Sequence, residues 1–324
     1  MTFKLLLYSD RTVPEAADAF RDWPAMLTAD VPEAELHLAG TGTEAAAVIG
    51  DAEAAFGQLP PALFAKAASL RWLACPRAGP DPSFYHPALV ASDVTVTNVR
   101  GIYNDHISAH IMAFLLSFAR GLHLYHDRQR ARRWQKGAAT VYLPEATLLI
   151  LGVGGIGGET ARRASEFGMT VLAVDPRVEA APEGVDELHR PEELDRLLPR
   201  ADFVVLTMPE TPATQRLFDL ARFRSMKRSA YFINIGRGAT VVLDDLDAAL
   251  RQGAIAGAAL DVFETEPLPK SHPLWDAPGM LITPHVAADG PYLDRRRYEV
   301  FRDKCRRFAR GEPLANVVDK ANWF

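Results

Sequence analysis

The 324-residue sequence predicts an α/β protein built from two open units of parallel sheet. Three observations carry that prediction. Strand-sized apolar runs alternate with Ala-rich or amphipathic helical stretches along nearly the whole chain, the pattern of parallel strands joined by helical crossovers. Within residues 147–175, Leu148-Leu149-Ile150-Leu151 runs directly into Gly152-Val153-Gly154-Gly155-Ile156-Gly157, and a helical stretch and a second apolar run ending on Asp175 follow. Downstream, each apolar run ends on polar or glycine-containing sequence, which in such a sheet falls at the carboxyl edge where ligands bind.

Taken in order, residues 1–10 read as a first strand. Their apolar core at 5–8 is too short for the hydrophobic region of a signal peptide, and no small-residue cleavage site follows. Strand candidates at 4–8, 35–38, 47–49, 70–75 and 94–97 alternate with helical stretches and form a first unit whose turns lack a glycine fingerprint. Residues 107–125 read as one long helix, apolar at Ile111, Met112, Phe114, Leu115, Leu116 and Phe118, with a polar continuation to Trp134. Apolar on most faces, it is expected to be buried between domains or subunits. The second unit has strand candidates at 148–151, 170–174, 203–208, 230–235, 257–261 and 280–283, with a helix at 159–167. A final helix at 295–310 is stopped by Gly311-Glu312-Pro313.

Bulk properties exclude several classes. Hydrophobic residues at 48 % and charged residues at 24 % supply one large or two ordinary cores, so the chain is not disordered. A net charge of −5 offers no basic face to nucleic acid or an anionic membrane. Residues 128–133 are Arg-rich, but no second basic cluster or aromatic platform accompanies them, and they read as a solvated or subunit-contacting helix face. Cys75 and Cys305 are the only cysteines and stand outside any ligand spacing. That argues against structural zinc or a disulfide framework, and it suits a reducing, cytoplasmic compartment. No metal is expected, and no run approaches the ~18 apolar residues of a membrane span.

The 147–175 unit carries the strongest chemistry. A strand, a glycine turn and a helix present backbone N–H groups and a helix N-terminus to a pyrophosphate. An acid eighteen residues past Gly157 is placed to hydrogen-bond an adenosine ribose. Dinucleotide binding follows. Further on, Asn234-Ile235-Gly236-Arg237-Gly238 sets an arginine between glycines after a buried strand, where a guanidinium can grip a carboxylate or polarise a carbonyl. Carboxylates Asp261, Glu264 and Glu266 end another strand, and His285 follows the next. A histidine is the natural general acid at neutral pH, and a nearby carboxylate would orient it.

These segments together resemble the D-2-hydroxyacid dehydrogenase family, and most nearly its glyoxylate/hydroxypyruvate reductase members. The matching text is Gly152-Val-Gly-Gly-Ile-Gly157, Leu206-Thr-Met-Pro-Glu-Thr-Pro212, Phe232-Ile-Asn-Ile-Gly-Arg-Gly238, Ala259-Leu-Asp-Val-Phe-Glu-Thr-Glu-Pro-Leu268, His272-Pro-Leu-Trp275 and Ile282-Thr-Pro-His-Val-Ala-Ala288. Gly311-Glu-Pro-Leu-Ala-Asn-Val-Val318 resembles the family's usual ending. The resemblance implies two Rossmann-like domains, with a cofactor domain at 100–291 inserted into a flavodoxin-like substrate domain made of 1–99 plus 292–324. It implies NAD(P)-dependent reduction of a small 2-oxo acid to the D-2-hydroxy acid, with substrate bound between the domains. A homodimer through residues 103–134 is implied as well.

By the same resemblance, Arg237 holds the substrate carboxylate and keto oxygen, His285 is the proton donor, and Glu266 supports His285. Arg77, Ala78 and Gly79 would offer backbone amides to the carboxylate. The cofactor would be touched by Gly152, Gly154, Gly155, Ile156 and Gly157, by Asp175, Pro176 and Arg177, by Thr207, Met208 and Pro209, and by Ile235, Gly236, Asp261 and Ala287. Of these, Asp261 is assigned to the nicotinamide carboxamide and 207–209 to the adenosine side. Asp175 favours NAD over NADP because its charge repels a 2′-phosphate, while Arg177 partly offsets that repulsion and leaves NADP possible. Reduction is expected to weaken as pH rises and the histidine loses its proton.

The chain departs from the family pattern in three places. Ala109-His110 stands where many members carry Ala-Glu, and His110 is read as a helix-surface or interface residue. Asp289-Gly290-Pro291 replaces a usual threonine, and Arg77-Ala-Gly-Pro-Asp-Pro82 is proline-rich. Other classes are an NAD-sensing corepressor on the same fold and a formate dehydrogenase, the latter opposed by Glu266. A phosphoglycerate dehydrogenase with a C-terminal regulatory domain is disfavoured because the sequence ends soon after Val318.

Overall fold

A computed structural model of the chain describes residues 2–9, 21–80 and 82–321. The ends of the 1–10 strand segment, Asp81 and residues 322–324 of the tail lie outside the described residues. The chain divides into two units, one made of Met1–Ile102 with Pro291–Phe324 and the other of Tyr103–Gly290.

In the first unit, β1 (Phe3–Tyr8), α1 (Trp23–Asp30), β2 (Ala34–Ala39), α2 (Gly42–Val48), β3 (Ala54–Phe56), α3 (Pro61–Phe64), β4 (Trp72–Ala74), α4 (Pro87–Val90) and β5 (Thr95–Thr97) follow one another. Its sheet is parallel in the order β2-β1-β3-β4-β5, the flavodoxin-like winding. Along β1 the side chains alternate between two cores: Leu6 and Tyr8 pack on one face, and Phe3, Leu5 and Leu7 on the other. Burial on both faces is why residues 5–8 of β1 read as an apolar run.

One expectation fails here for a local reason. Residues 47–49 were expected as a strand, yet they end α2. Thr41 caps that helix by accepting the Glu44 N–H, and the Glu44 carboxylate reaches back to the Gly40 N–H. A Thr-x-x-Glu capping signal at 41–44 was present and unread. The strand in this region is β3, whose Ala-Ala-Phe sequence carries little β preference of its own.

The second unit comprises α5 (Asn104–Ala119), α6 (Leu122–Arg130), β6 (Thr147–Leu151), α7 (Gly155–Glu166), β7 (Thr170–Val174), β8 (Glu187–His189), α8 (Leu194–Leu197), β9 (Phe203–Leu206), α9 (Leu220–Ser225), β10 (Tyr231–Asn234), α10 (Leu243–Arg251), β11 (Gly257–Leu260) and β12 (Met280–Ile282). Its seven parallel strands run β12-β11-β10-β9-β6-β7-β8. The order reverses between β6 and β9, which makes the carboxyl ends of those strands the topological switch point. Leu149, Leu151 and Phe232 fill the core on one face of this sheet, and Leu148, Ile150 and Ile233 fill the other.

The long helix expected at 107–125 is two helices bent by 71°. Gly121 stands between them at φ 64, a left-handed conformation open to glycine, and an added Cβ there would meet the Ala138 Cβ at 2.6 Å. The apolar face of α5, including Ile111, Leu115 and Phe118, is buried within its own unit against Leu148, Ile150 and Tyr231. It was expected to be buried between domains or subunits. No single helix among the described residues is long and apolar enough to cross a membrane. The polar edge strand β8 was also unread, because Glu-Leu-His carries neither an apolar run nor a useful alternation.

The last helix, α11 (Leu293–Arg310), returns to the first unit and ends at Gly311 in the left-handed region. Its Tyr298, Phe301 and Cys305 join Trp23, Phe56 and Trp72 in one core. Lys304 on the same helix is 2 % exposed and donates to the Asn98 carbonyl. Burial pushes its ammonium down to about 8, and the charge of Arg100 adds to that, while Cys75, Asp303 and Cys305 act in the opposite sense.

A lysine with a native pKa below its unfolded value is a net cost below about pH 8, where both states are charged. Between about 8 and 10.5 the unfolded state binds more protons, so unfolding free energy rises with pH. The rise is on the order of 3 kcal/mol. Urea midpoints of Lys304→Met should lose it over that window, and an undiminished rise in the variant would acquit Lys304.

Candidate active site

At the end of β6 the chain turns at Gly152, which has φ 92 and whose missing Cβ would lie 3.0 Å from the backbone N of Met208. The exits of β6 and β9 are pressed together there, at the switch point. Thr207 fastens the two by donating its N–H to the Leu151 carbonyl and its hydroxyl to the Gly152 carbonyl. A Cβ on Gly157 would lie 1.9 Å from the Gly152 oxygen, and one on Gly155 would strike the Asn104 side chain at 2.5 Å. Gly157 is therefore required by the protein's own backbone packing, whereas at Gly155 the Asn104 side chain would have to turn aside.

Gly154 differs. It is exposed, its φ is an ordinary −67, and nothing lies within 4 Å of where its Cβ would be. Directly after it α7 begins at Gly155, four residues earlier than expected, and the first-turn N–H groups of Gly155, Ile156 and Gly157 have no acceptor inside the helix. An uncapped helix N-terminus behind an unobstructed glycine fits a pyrophosphate.

Asp175, at the end of β7, is 4 % exposed. One carboxylate oxygen accepts the Val153 N–H at 3.0 Å, and the other accepts the N–H groups of Arg177 and Val178 at 2.8 and 3.1 Å. The acid thus latches the glycine turn to its own turn, a structural task the Asp-Pro sequence signals as an Asx turn and sequence reading passed over. Pro176 and Arg177 are exposed beside it, and Arg190 donates to the Asp175 carbonyl at 3.2 Å.

The arginine loop is equally constrained. Asn234 is fully buried; its amide oxygen accepts the Gly236 N–H at 3.0 Å, and its amide nitrogen donates to the Arg237 carbonyl at 3.0 Å. The Thr240 hydroxyl donates to that same carbonyl at 2.7 Å. A Cβ on Gly236 would come within 2.7 Å of the Met208 oxygen, and one on Gly238 within 1.9 Å of the Phe263 carbonyl carbon. The strand exits at Met208, Arg237 and Phe263 can pack this closely only with glycine on both sides of the arginine. Arg237 is half-buried, and Ile235 beneath it is buried.

Asp261 organises the last segment. It is 1 % exposed, and its carboxylate accepts the Thr283 hydroxyl at 2.6 Å and the N–H groups of Val286 and Ala287 at 2.9 Å each, while its carbonyl accepts the His285 N–H at 2.8 Å. Residues 283–287 wrap this one side chain, and His285 is held at φ 55. The His285 Nδ1 lies 2.7 Å from Glu266 Oε2, and Glu266 Oε1 accepts the Phe263 N–H at 2.9 Å. Because the carboxylate accepts, Nδ1 carries a proton, leaving Nε2 as the atom free to exchange one. Half of the imidazole is exposed.

Sequence reasoning did not anticipate Asn234, Thr283 or Asn104 as parts of this framework. Their common signal is a short polar side chain at a strand exit or helix start, which is too frequent to single out. In the first unit, Arg77, Ala78 and Gly79 form an irregular segment soon after β4, and the Ala78 carbonyl accepts the Asn98 side-chain amide at 2.8 Å. Among the described residues no three His, Cys, Asp or Glu side chains are placed to hold a metal.

Comparison with known proteins matches this geometry to a family. Residues 112–287 match the model of the D-isomer specific 2-hydroxyacid dehydrogenase NAD binding domain. A glyoxylate/hydroxypyruvate reductase B of Klebsiella pneumoniae subsp. pneumoniae is 35 % identical over 263 residues, covering 79 % of each chain. A solved D-isomer specific 2-hydroxyacid dehydrogenase from Xanthobacter autotrophicus Py2, in complex with NADPH and MES, superposes with a TM-score of 0.84 at 31 % identity over the full length of both chains. The NADPH-dependent glyoxylate/hydroxypyruvate reductase from Sinorhizobium meliloti, in complex with NADP and sulfate, gives 0.83 at 28 % identity, covering 99 % of this chain and 100 % of that one. With its two parallel-sheet units, its glycine turn and its strand-exit segments, the chain belongs to the D-isomer specific 2-hydroxyacid dehydrogenases, NAD(P)-dependent oxidoreductases whose NAD-binding domain it carries at residues 112–287.

Proposed function

We propose that this dehydrogenase reduces a small 2-oxo acid of the glyoxylate or hydroxypyruvate kind to its D-2-hydroxy acid. The carrying observation is the His285–Glu266 pair at 2.7 Å, standing in the same unit as a glycine-flanked Arg237 and the open Gly154 turn. When bound, the dinucleotide supplies the hydride. The side chains supply the rest.

Arg237, its backbone fixed by Asn234 and Thr240, grips the substrate carboxylate and polarises the keto oxygen. His285, with Nδ1 held by Glu266, donates the Nε2 proton to that oxygen as charge develops on it. Asp261 holds the histidine loop and is proposed as the partner of the nicotinamide carboxamide. Arg77, Ala78 and Gly79 are proposed as further backbone donors to a carboxylate.

For the cofactor, Gly152, Gly154, Gly155, Ile156 and Gly157 would cradle the pyrophosphate. Pro176, Thr207, Met208, Pro209, Ile235, Gly236 and Ala287 would line the remainder. NAD is proposed as the preferred partner because the Asp175 carboxylate, although turned inward, keeps its charge at the ribose end. Arg177 and Arg190 flank the same turn and support use of NADP as well.

The test is oxidation of NADH and NADPH by the purified protein against glyoxylate, hydroxypyruvate, pyruvate, phenylpyruvate and 2-oxoisocaproate. Rapid loss of NADH with the smallest acids is expected. Turnover with none of the five and with neither cofactor would end this reading. In the same assay Arg237→Ala should raise KM for the oxo acid by roughly 100-fold or more, the loss of a bidentate charged pair. An unchanged KM would remove Arg237 as the carboxylate anchor.

Assembly as a homodimer through 103–134 is also proposed. It is supported by Trp134, fully exposed, and Leu122, 54 % exposed, beside the Arg-rich segment. Sedimentation velocity decides it, and a monomer at micromolar concentration would exclude it.

A further inference from the structure

His110 was read from the sequence as a helix-surface or interface residue. Its side chain is instead 22 % exposed and turned toward the strand ends of its own unit. Its Nε2 lies 3.0 Å from the Thr283 hydroxyl and 4.0 Å from Asp261 Oδ1, and its ring meets Phe114 edge-on at 4.6 Å.

Proton counting fixes the direction of the contacts. Thr283 has a single hydroxyl proton, and at 2.6 Å from Asp261 Oδ1 that proton goes to the carboxylate, which only accepts. The Thr283 oxygen must therefore accept from His110, so Nε2 is the protonated nitrogen. A directed chain results: His110 Nε2–H donates to Thr283 and Thr283 O–H donates to Asp261, whose carboxylate also accepts the N–H groups of Val286 and Ala287, the two residues that follow His285.

We propose that His110 is a positioning residue for the reaction: through Thr283 and Asp261 it fixes the backbone of 285–287, and with it the aim of the His285 imidazole. The inference rests on His285 being the proton donor. The physical need is plain. His285 sits at φ 55, a conformation a residue with a side chain rarely adopts, so the hydrogen bonds around it must outweigh an intrinsic preference for another backbone. Asp261 supplies those bonds. Without Thr283 and His110, one carboxylate oxygen would lose its only hydroxyl partner, and the loop would gain an alternative arrangement in a buried place where such partners are hard to replace.

The substitutions that test this are His110→Phe, which keeps the ring and its Phe114 contact but has no donor, His110→Gln, whose amide nitrogen falls near the position of Nε2, and Thr283→Val. With glyoxylate and saturating NADH, His110→Phe should lower kcat about tenfold while KM and NADH affinity stay within about twofold, the effect of loosening a support without touching substrate. His110→Gln should recover most of the loss. Thr283→Val should match His110→Phe, and the double variant should be no worse than either, because both cut one chain.

The second readout needs no activity. In the cofactor-free protein the amide resonances of Val286 and Ala287 should move in His110→Phe and Thr283→Val alike and return in His110→Gln. Unmoved resonances, a wild-type kcat in His110→Phe, or multiplying losses in the double variant would each overturn the inference. His285→Ala measured alongside separates the two failures. If its turnover is intact, the proton-donor reading fails; if it is crippled while His110→Phe is not, only the positioning role fails.

Discussion

His285→Ala should cut kcat for 2-oxo acid reduction by roughly 10²–10⁴-fold, the range a positioned general acid supplies. NADH affinity should remain within a factor of about two, since the loop that carries the residue is held by Asp261 through backbone groups an alanine retains. The variant also trades a residue at φ 55 for one that gains nothing there, so its thermal midpoint is the necessary control. Glu266→Gln belongs in the same series. It offers one acceptor oxygen where the carboxylate offers two, so either Nδ1 or the Phe263 N–H faces an amide NH2 and loses its partner, and kcat should fall between wild type and His285→Ala. Steady-state kinetics with a fluorescence titration of NADH measures both, and unimpaired turnover in His285→Ala would take the residue out of the chemistry.

Gly157→Ala and Gly154→Ala should fail in different ways. A methyl group on Gly157 would sit 1.9 Å from the Gly152 carbonyl oxygen and 2.8 Å from the Thr207 hydroxyl, so the turn and α7 must move apart. The expected loss is roughly 3 kcal/mol, at the upper end for overpacking a tight contact. For a unit of this size that corresponds to a fall of roughly 6–12 °C in Tm. Gly154 has open space where its Cβ would be and an ordinary φ, so Gly154→Ala should fold within about 0.5 kcal/mol of wild type. Its methyl group would project where a pyrophosphate has to approach the backbone, and NADH binding should weaken at least tenfold, roughly 1.4 kcal/mol. Calorimetry and a binding titration on the two variants give the answer. Equal NADH affinity in Gly154→Ala and wild type would show that this glycine faces no ligand.

The contrast between those two glycines marks how far the linear sequence reaches. It spells out the β6–turn–α7–β7 unit because everything there is contiguous: β6 is buried on both faces and appears as an apolar run, the glycines follow at once, and an acid closes the next strand. The same holds for the other central strands, whose two-sided burial leaves an apolar run in the text whatever their partners. Where an element is short, small or polar, no such trace remains. β3 is Ala-Ala-Phe, β8 is Glu-Leu-His at a sheet edge, and the break at Gly121 lies between an apolar helical stretch and a polar one that also reads as helix.

What the sequence by itself determined, then, is the class of fold, the strand–glycine turn–helix and the kinds of side chain waiting at the strand exits. What only the tertiary structure decided is which of those side chains hold one another. Asp175 is turned inward onto Val153, Asp261 gathers residues 283–287, and His110 reaches Thr283 across 173 positions of chain. The physical reason is that such contacts have no period and no spacing. They arise where parallel strands from distant parts of the chain end side by side at one sheet edge, in a place dry enough that each buried polar atom must find a partner.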